Sequence, residues 1–341
     1  MKHVKNILSV LVVVAGLALC IYKVSPILRP IDTDGAYYQI ETLHSLPENS
    51  LEVIIYGSSH AFRGVKPMEM YEKYGIGVYN YAWHWQKINT SKLFLQDSLL
   101  EQKPKVAVIE TYHVDEVLED TDIKAEVFYS RYVHDKRARS RYLRQCMGKK
   151  PSLDRRLSYF MPFALFHDNW SNLNQTSYKG LQPGGSSGLR KSMGFRYTDE
   201  VEEIEVYGYH PEDQKSLSDK SLQELDEIVD ICKANDIAVV FYVAPMSYAY
   251  AYSDAMEQYA AENGCAFLDL IKNYEEVGID GKTDYYDKGH LNVSGATKVA
   301  DYIGKYLKEN YDLTDMRNVK DNIWEKALQE IAEETESTLS E

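Results

Sequence analysis

The sequence predicts an α/β fold: a parallel sheet carrying an inserted subdomain, placed after an N-terminal transmembrane helix. Three observations predict it. An apolar run, Ile7 to Tyr22, follows Lys2 and Lys5. Short apolar strand-like runs alternate with helical stretches over 51–109 and again over 222–307, the βαβ pattern of a parallel sheet. Between Val117 and Ser218 that alternation stops. The 341 residues suit one domain with an insertion, and 44% apolar content supports a sizeable core. The expected division is 1–30 anchor and stalk, 31–119 first half of the α/β domain, 120–215 insertion, 216–312 second half, and 313–341 C-terminal helix and acidic tail.

The run Ile7 to Tyr22 is a little short of the roughly 20 residues of a spanning helix, and Lys23 can snorkel to extend it. No A-x-A-like cleavage site follows, which favours an uncleaved signal anchor over a signal peptide. Leu17-Ala18-Leu19-Cys20 has the outline of a lipoprotein box, with leucine in place of the small residue before the cysteine. Lys2 and Lys5 predict a cytoplasmic N-terminus and an extracytoplasmic body, a single-pass topology that Lys23 and Arg29 on the far side oppose. Pro26 and Pro30 are expected to close the anchor.

Leu51 to Tyr56 reads as the first strand, ending at Gly57-Ser58-Ser59-His60. Pro67 to Tyr74 reads as a helix, broken by Gly75 and Gly77 before a second strand, Val78 to Tyr81. Asn89 or Thr90 can cap a helix to about Gln102, and Val106 to Ile109 is the third strand. After the insertion, Leu222 to Ala234 has helical periodicity in Leu222, Leu225, Ile228, Val229 and Cys232. Ile237 to Val243 is a buried strand, Asp254 to Glu262 a helix and Ala266 to Leu268 a short strand. Ala296 to Leu307 is the last core helix, with Ser294 as its cap, and Ile323 to Ala332 a modest amphipathic helix.

The insertion holds a basic run from Lys136 to Arg156 and a Gly/Ser-rich loop, Pro183 to Gly188. Tyr142 and Leu143 interrupt the basic run, so a solvated amphipathic helix face is preferred over a site for an anionic polymer. Formal net charge is −14, from 38 basic and 52 acidic residues, which opposes nucleic-acid binding. Cys20, Cys146, Cys232 and Cys265 are scattered, neither a zinc site nor a disulfide framework; buried free thiols are expected. No metal or cofactor is implied.

Chemistry is concentrated at two places. Ser59 lies just past the first strand and before a helix, where an α/β fold exposes side chains at the carboxyl edge of its sheet. Gly57 allows a tight turn there. A serine hydroxyl needs a base to become a nucleophile. Asp287-Lys288-Gly289-His290 lies before the last helix, and an Asp three residues ahead of a His can hold Nδ1 and leave Nε2 free as base. Either motif alone is an ordinary turn. Together they can meet across a three-layer sheet.

In Gly57, Ser59, Asp287 and His290 the chain resembles the SGNH hydrolases, whose first block is Gly-x-Ser and whose last is Asp-x-x-His. The resemblance covers roughly 50–115 and 215–310. It implies a three-layer, flavodoxin-like sheet and a catalytic triad of Ser59, Asp287 and His290. Gly57-Ser58-Ser59 in place of Gly-Asp-Ser is similar to the anchored subgroup that includes the teichoic-acid D-alanylation protein DltD and relatives encoded beside membrane-bound O-acyltransferases (MBOAT proteins). Asn80, Gln86 and the strand ending in Glu110 fit that subgroup, and His167 with Trp170 resembles a His-x-x-Trp stretch in its inserts.

The chain departs from the family in its second and third blocks. Asn80 to Gln86 holds no glycine for an oxyanion hole, and Glu110-Thr111-Tyr112-His113 stands where Gly-x-Asn is usual. Gly57 and the Ser59 N–H belong to the nucleophile turn, and an amide near Trp85 or the Gln86 side chain is the candidate second donor. Trp83, His84 and Trp85 form either an aromatic sugar-binding rim or internal packing.

The expected function is extracytoplasmic O-acyl transfer, acetyl foremost, through Ser59 to a cell-surface polysaccharide or teichoic-acid-like polymer. The acyl group would come from a membrane-bound O-acyltransferase, a partner implied by the resemblance alone. The alternatives are a carbohydrate esterase with the same triad, and a non-catalytic scaffold on the same fold.

Overall fold

The computed structural model describes residues 2–28, 36–117, 127, 130–173, 177, 187–320 and 322–339. By their contacts they divide into two compact units. The smaller unit comprises 1–35, 119–131 and 143–183. Its helix α1 (Lys2–Leu28) contains a stretch, Asn6–Ser25, with a mean hydropathy of 2.5, long and apolar enough to cross a membrane. The helix continues through Pro26 to Leu28, so Pro26 does not end it as expected; Pro30 lies outside the described residues. Within the same unit the turn His167–Asn172 reaches the end of α1, where Asn169 Nδ2 donates to the Leu28 carbonyl at 2.9 Å.

The larger unit comprises 36–118, 132–142 and 184–341. Its parallel strands are β1 (Val53–Tyr56), β2 (Val78–Asn80), β3 (Val106–Glu110), β4 (Ala238–Val243) and β5 (Ala266–Asp269). They are ordered β2-β1-β3-β4-β5, the doubly wound, flavodoxin-like arrangement. Both faces are covered, which is why the strands read as continuous apolar runs rather than alternating ones. One face carries Val53, Ile55, Val78, Val108, Val240 and Leu268 in a core with Phe62, Met70, Val299 and Ile303. Tyr56 points to the other face, where its hydroxyl meets Ser98 Oγ at 2.7 Å.

The helices that matter for the site follow the strands in turn. A single turn, α2 (Ser59–Phe62), follows β1 directly, and α3 (Pro67–Tyr74) leads to β2. Between β2 and β3 lies α4 (Ile88–Ser98), which starts ahead of the expected Asn89 or Thr90 cap, with Lys87 at its N-cap. The long α5 (Asp219–Ala234) is capped by Ser218 Oγ, which accepts from Ser221 N, and packs on α4. The last core helix, α6 (Val293–Asn310), is capped by Asn292, not Ser294: Asn292 Oδ1 accepts from Ser294 N and Gly295 N. Asn292 is the better acceptor because its side chain also anchors the turn before it, through Nδ2 to the Thr283 carbonyl at 2.8 Å.

Of the expected insertion, 120–215, the described residues 127, 130–131, 143–173 and 177 group with the smaller unit. The insertion's described residues 187–215 group with the larger unit, and 132–142 do as well. An extended strap bonds in turn to loops along the sheet: Met193 O accepts from Asn80 N, Arg196 N donates to Phe62 O, Glu202 N to Tyr285 O, Ile204 N to Gly281 O and Tyr207 N to Met246 O. These five hydrogen bonds are backbone to backbone, and Gly194 O and Glu200 O accept from Gln39 Nε2 and Asn292 Nδ2, so little in the strap's own side chains advertises them. Most of the Gly/Ser-rich loop, 183–186, lies outside the described residues. In the basic run, Lys136, Arg137, Arg141 and Arg144 are exposed while Ala138, Tyr142 and Leu143 are buried, the solvated amphipathic face. Cys146 and Cys232 are buried free thiols, and Cys20 and Cys265 are also unbridged.

Candidate active site

The strand order reverses between β1 and β3, so their carboxyl ends flank a crevice where doubly wound folds place ligands. Ser59 lies at the end of β1 and Glu110 at the end of β3. Gly57 joins β1 to the turn with φ of +153°, a value L side chains rarely adopt, and a Cβ there would lie 2.4 Å from the Glu110 Cβ. Ser58 caps the helical turn, its Oγ accepting from His60 N. Ser59 is therefore the first helical residue. Its N–H donates to no acceptor among the described residues.

Ser59 Oγ lies 2.6 Å from His290 Nε2. On the other side of the ring, His290 Nδ1 lies 2.9 Å from both Asp287 carboxylate oxygens. Asp287 Oδ1 also accepts the backbone N–H groups of Gly289 and His290, each at 2.8 Å. Burial pushes the Asp287 carboxyl up; the Gly289 N–H and the His290 ring outweigh it and hold the group below the ordinary aspartate value. An ionised Asp287 keeps the proton on Nδ1 and leaves Nε2 as the acceptor facing Ser59. Gly289 is required by close approach: a Cβ there would meet the Tyr248 hydroxyl at 2.4 Å.

Rings surround this pair. Tyr286 stacks on His290 at 5.5 Å between centroids, and His60 stacks on the imidazole at 4.9 Å. Tyr112 meets His60 at 4.3 Å and Tyr248 at 5.8 Å. Burial, helped by His290 and His113, drives His60 well below the usual histidine value, so its ring is neutral at pH 7. Burial also pushes the Tyr286 hydroxyl up to about 12.

The Trp83-His84-Trp85 segment divides. Trp83 is buried on Phe62, and its backbone N–H donates to Gly57 O. His84 lies edge-on to Phe62 and Trp83. Trp85 is 65% exposed with φ of +54°, and its ring rests on His113 at 5.6 Å. A bulky residue in the left-handed region is an outlier of the kind found at ligand-binding positions. Gln86 is buried, and its Nε2 donates to Ser91 Oγ at 3.1 Å. No hydrogen bond ties Gln86 to Ser59 among the described residues.

Reading the sequence alone gave Glu110, His60, Arg63, Tyr112, Tyr248 and Tyr286 no role at the site. Glu110 could have been suspected from a carboxylate ending a buried strand; the others are common residue types in turns.

No family model and no curated protein matches the sequence. Solved structures that resemble it include a provisionally described acylhydrolase of Bacteroides fragilis, at 12% identity and a TM-score of 0.39, over 82% of this chain and 99% of that one. A GDSL-like lipase of Bacteroides thetaiotaomicron resembles it at 10% identity and a TM-score of 0.35, over 76% of this chain and 89% of that one.

Proposed function

We propose that the protein is a serine-dependent acyl-transfer enzyme of the SGNH type, anchored by α1 with its larger unit outside the cytoplasm. The observation that carries this is the continuous line from Ser59 Oγ through His290 to Asp287, at 2.6 Å and 2.9 Å. Ser59 Oγ attacks the acyl carbonyl carbon as His290 Nε2 takes its proton. The carbonyl oxygen becomes an oxyanion within reach of the Ser59 N–H, the free donor at the start of α2. His290 then returns the proton to the departing alcohol and leaves an acyl ester on Ser59. In the second half, His290 deprotonates the acceptor hydroxyl, which attacks the ester carbon, and His290 returns that proton to Ser59 Oγ as the acyl–Ser59 bond breaks. Asp287 holds the ring in one tautomer throughout.

The acceptor we favour is a hydroxyl of a cell-surface glycan or teichoic-acid-like polymer, with acetyl the first acyl group to test. The exposed Trp85 ring supports it, since sugars stack on such platforms. Delivery of the acyl group by a membrane-bound O-acyltransferase remains part of this proposal. Water as acceptor makes the same machinery an esterase.

The test is a serine-directed fluorophosphonate probe on the full chain in detergent, followed by peptide mapping. Label on Ser59, lost in His290→Ala, is expected. A chain that takes no label while folded removes the covalent mechanism and leaves the scaffold role.

A further inference from the structure

Arg63 sits one helical turn beyond Ser59, and its backbone N–H donates to the Ser59 carbonyl at 3.0 Å. Residues four apart on a turn share a face, with Cβ atoms about 5–6 Å apart. The Arg63 guanidinium lies over the Tyr286 ring at 4.7 Å and near the Phe62 ring at 5.8 Å. Tyr286 is in turn the ring stacked on His290. Arg63 is half-buried, its Nε is buried without a hydrogen-bond partner, and no carboxylate among the described residues pairs with it.

Unlike the exposed Arg137, Arg141 and Arg144, Arg63 combines this with partial burial beside the Ser59 turn. The chain has 52 acidic side chains against 38 basic ones, and lysines elsewhere take two carboxylates at once, as Lys92 and Lys272 do. A partly desolvated cation costs free energy unless something opposite meets it. Stacking on Tyr286 orients the guanidinium plane but leaves the buried Nε–H donor unmet.

Resting on the serine reading above, we propose that Arg63 is a specificity-determining residue that binds an oxyanion, carboxylate or phosphate, carried by the substrate close to the ester that Ser59 attacks. Its planar fork suits either group through paired hydrogen bonds. A protein of formal charge −14 gains most from such a residue, because the rest of its field repels an anionic polymer.

The experiment compares three acetyl esters on the full chain in detergent: para-acetoxybenzoate, para-acetoxyphenyl phosphate and the neutral methyl para-acetoxybenzoate. The quantity read is the ratio of kcat/KM for each charged ester to that for the neutral one. Arg63→Gln is expected to lower the ratio by about tenfold or more, through KM, as loss of a charge-assisted hydrogen bond implies. Arg63→Lys should recover part of it, keeping the charge without the fork. The charged ester with the larger drop identifies carboxylate or phosphate as the natural group. Should Arg63→Gln not fold, the ratio is read in Arg63→Lys and Arg63→Met. An unchanged ratio, with Ser59→Ala inactive on all three esters, overturns the role of Arg63 and leaves the serine mechanism standing. Wild-type turnover in Ser59→Ala overturns both.

Discussion

The Glu110 carboxylate grips Ser58, the residue before the proposed nucleophile: Oε2 accepts the Ser58 N–H at 3.1 Å and the Ser58 hydroxyl at 2.7 Å. Its other oxygen accepts the Tyr112 N–H. Burial pushes the Glu110 carboxyl up, while the Ser58 and Tyr112 donors pull it down. The adjacent strands β1 and β3 are thus tied together at their carboxyl ends, beside the reversal in strand order. Glu110 touches no reacting atom; it is a positioning residue for the turn that presents Ser59.

Glu110→Gln tests this. The amide can still accept from Ser58, but its NH2 then faces the Tyr112 N–H, donor against donor. A destabilisation of about 1–3 kcal/mol follows, with ester turnover down as much as about 100-fold if Ser59 moves by about 1 Å. Melting temperature and kcat/KM are measured together. Glu110→Gln with both at wild-type values would show that the grip is incidental.

Much of this fold could be read from the sequence, and the parts that could not share a cause. All five strands were predictable because each contains a short apolar run, Val106 to Ile109 being the clearest, and β1, β2 and β3 are buried throughout. Pairing Gly57-x-Ser59 with Asp287-x-x-His290 needs only those four residues. The strap from Met193 to Tyr207 could not be read, because the bonds that lay it along the sheet are made by its backbone groups. Glu110 looked like a departure from Gly-x-Asn, since its function is defined by Ser58, 52 positions earlier in the chain. The separation of Trp83, buried, from Trp85, exposed, depends on one turn whose Trp85 has positive φ.

Trp324 gives a test of how the C-terminal helix (Ile323–Leu339) contributes. Its ring is fully buried against Tyr71, and Nε1 donates to the Val78 carbonyl at 3.3 Å, so it covers the edge of β2. Trp324→Ala should cost about 3–5 kcal/mol, read as a lower melting temperature. Trp324→Phe should recover most of the packing and leave only the hydrogen bond missing. A wild-type melt for Trp324→Ala would mean that the helix does not hold this edge in solution.

The orientation of the anchor is open to a reporter experiment. Lys2 and Lys5 precede the apolar stretch of α1, and such residues favour the cytoplasmic side. Alkaline phosphatase fused after Glu341 should be active in cells and green fluorescent protein at the same place dark, with the chain recovered in the membrane fraction. The opposite pair of signals would put the larger unit in the cytoplasm and exclude a cell-surface acceptor.

Ser59, His290 and Asp287 should behave as one unit. Ser59→Ala and His290→Ala each break the same proton path, so each should lose about as much turnover as the double variant. Asp287→Asn replaces the acceptor at Nδ1 with an amide that stabilises the wrong tautomer, and a loss of roughly 10⁴-fold in kcat is expected. The same substitution has a signature in stability. Because the folded Asp287 is held below its ordinary value, its stabilising contribution is complete above the unfolded pKa of about 3.9. It is lost as pH falls through the lower folded value. Asp287→Asn should therefore be less stable than wild type at neutral pH, with the two melting temperatures converging in acid. Turnover on an aryl acetate gives the first readout and melts between neutral and acid pH the second. Additive losses in Ser59→Ala/His290→Ala would mean that Oγ and Nε2 act in separate steps, against the single relay proposed from their 2.6 Å contact.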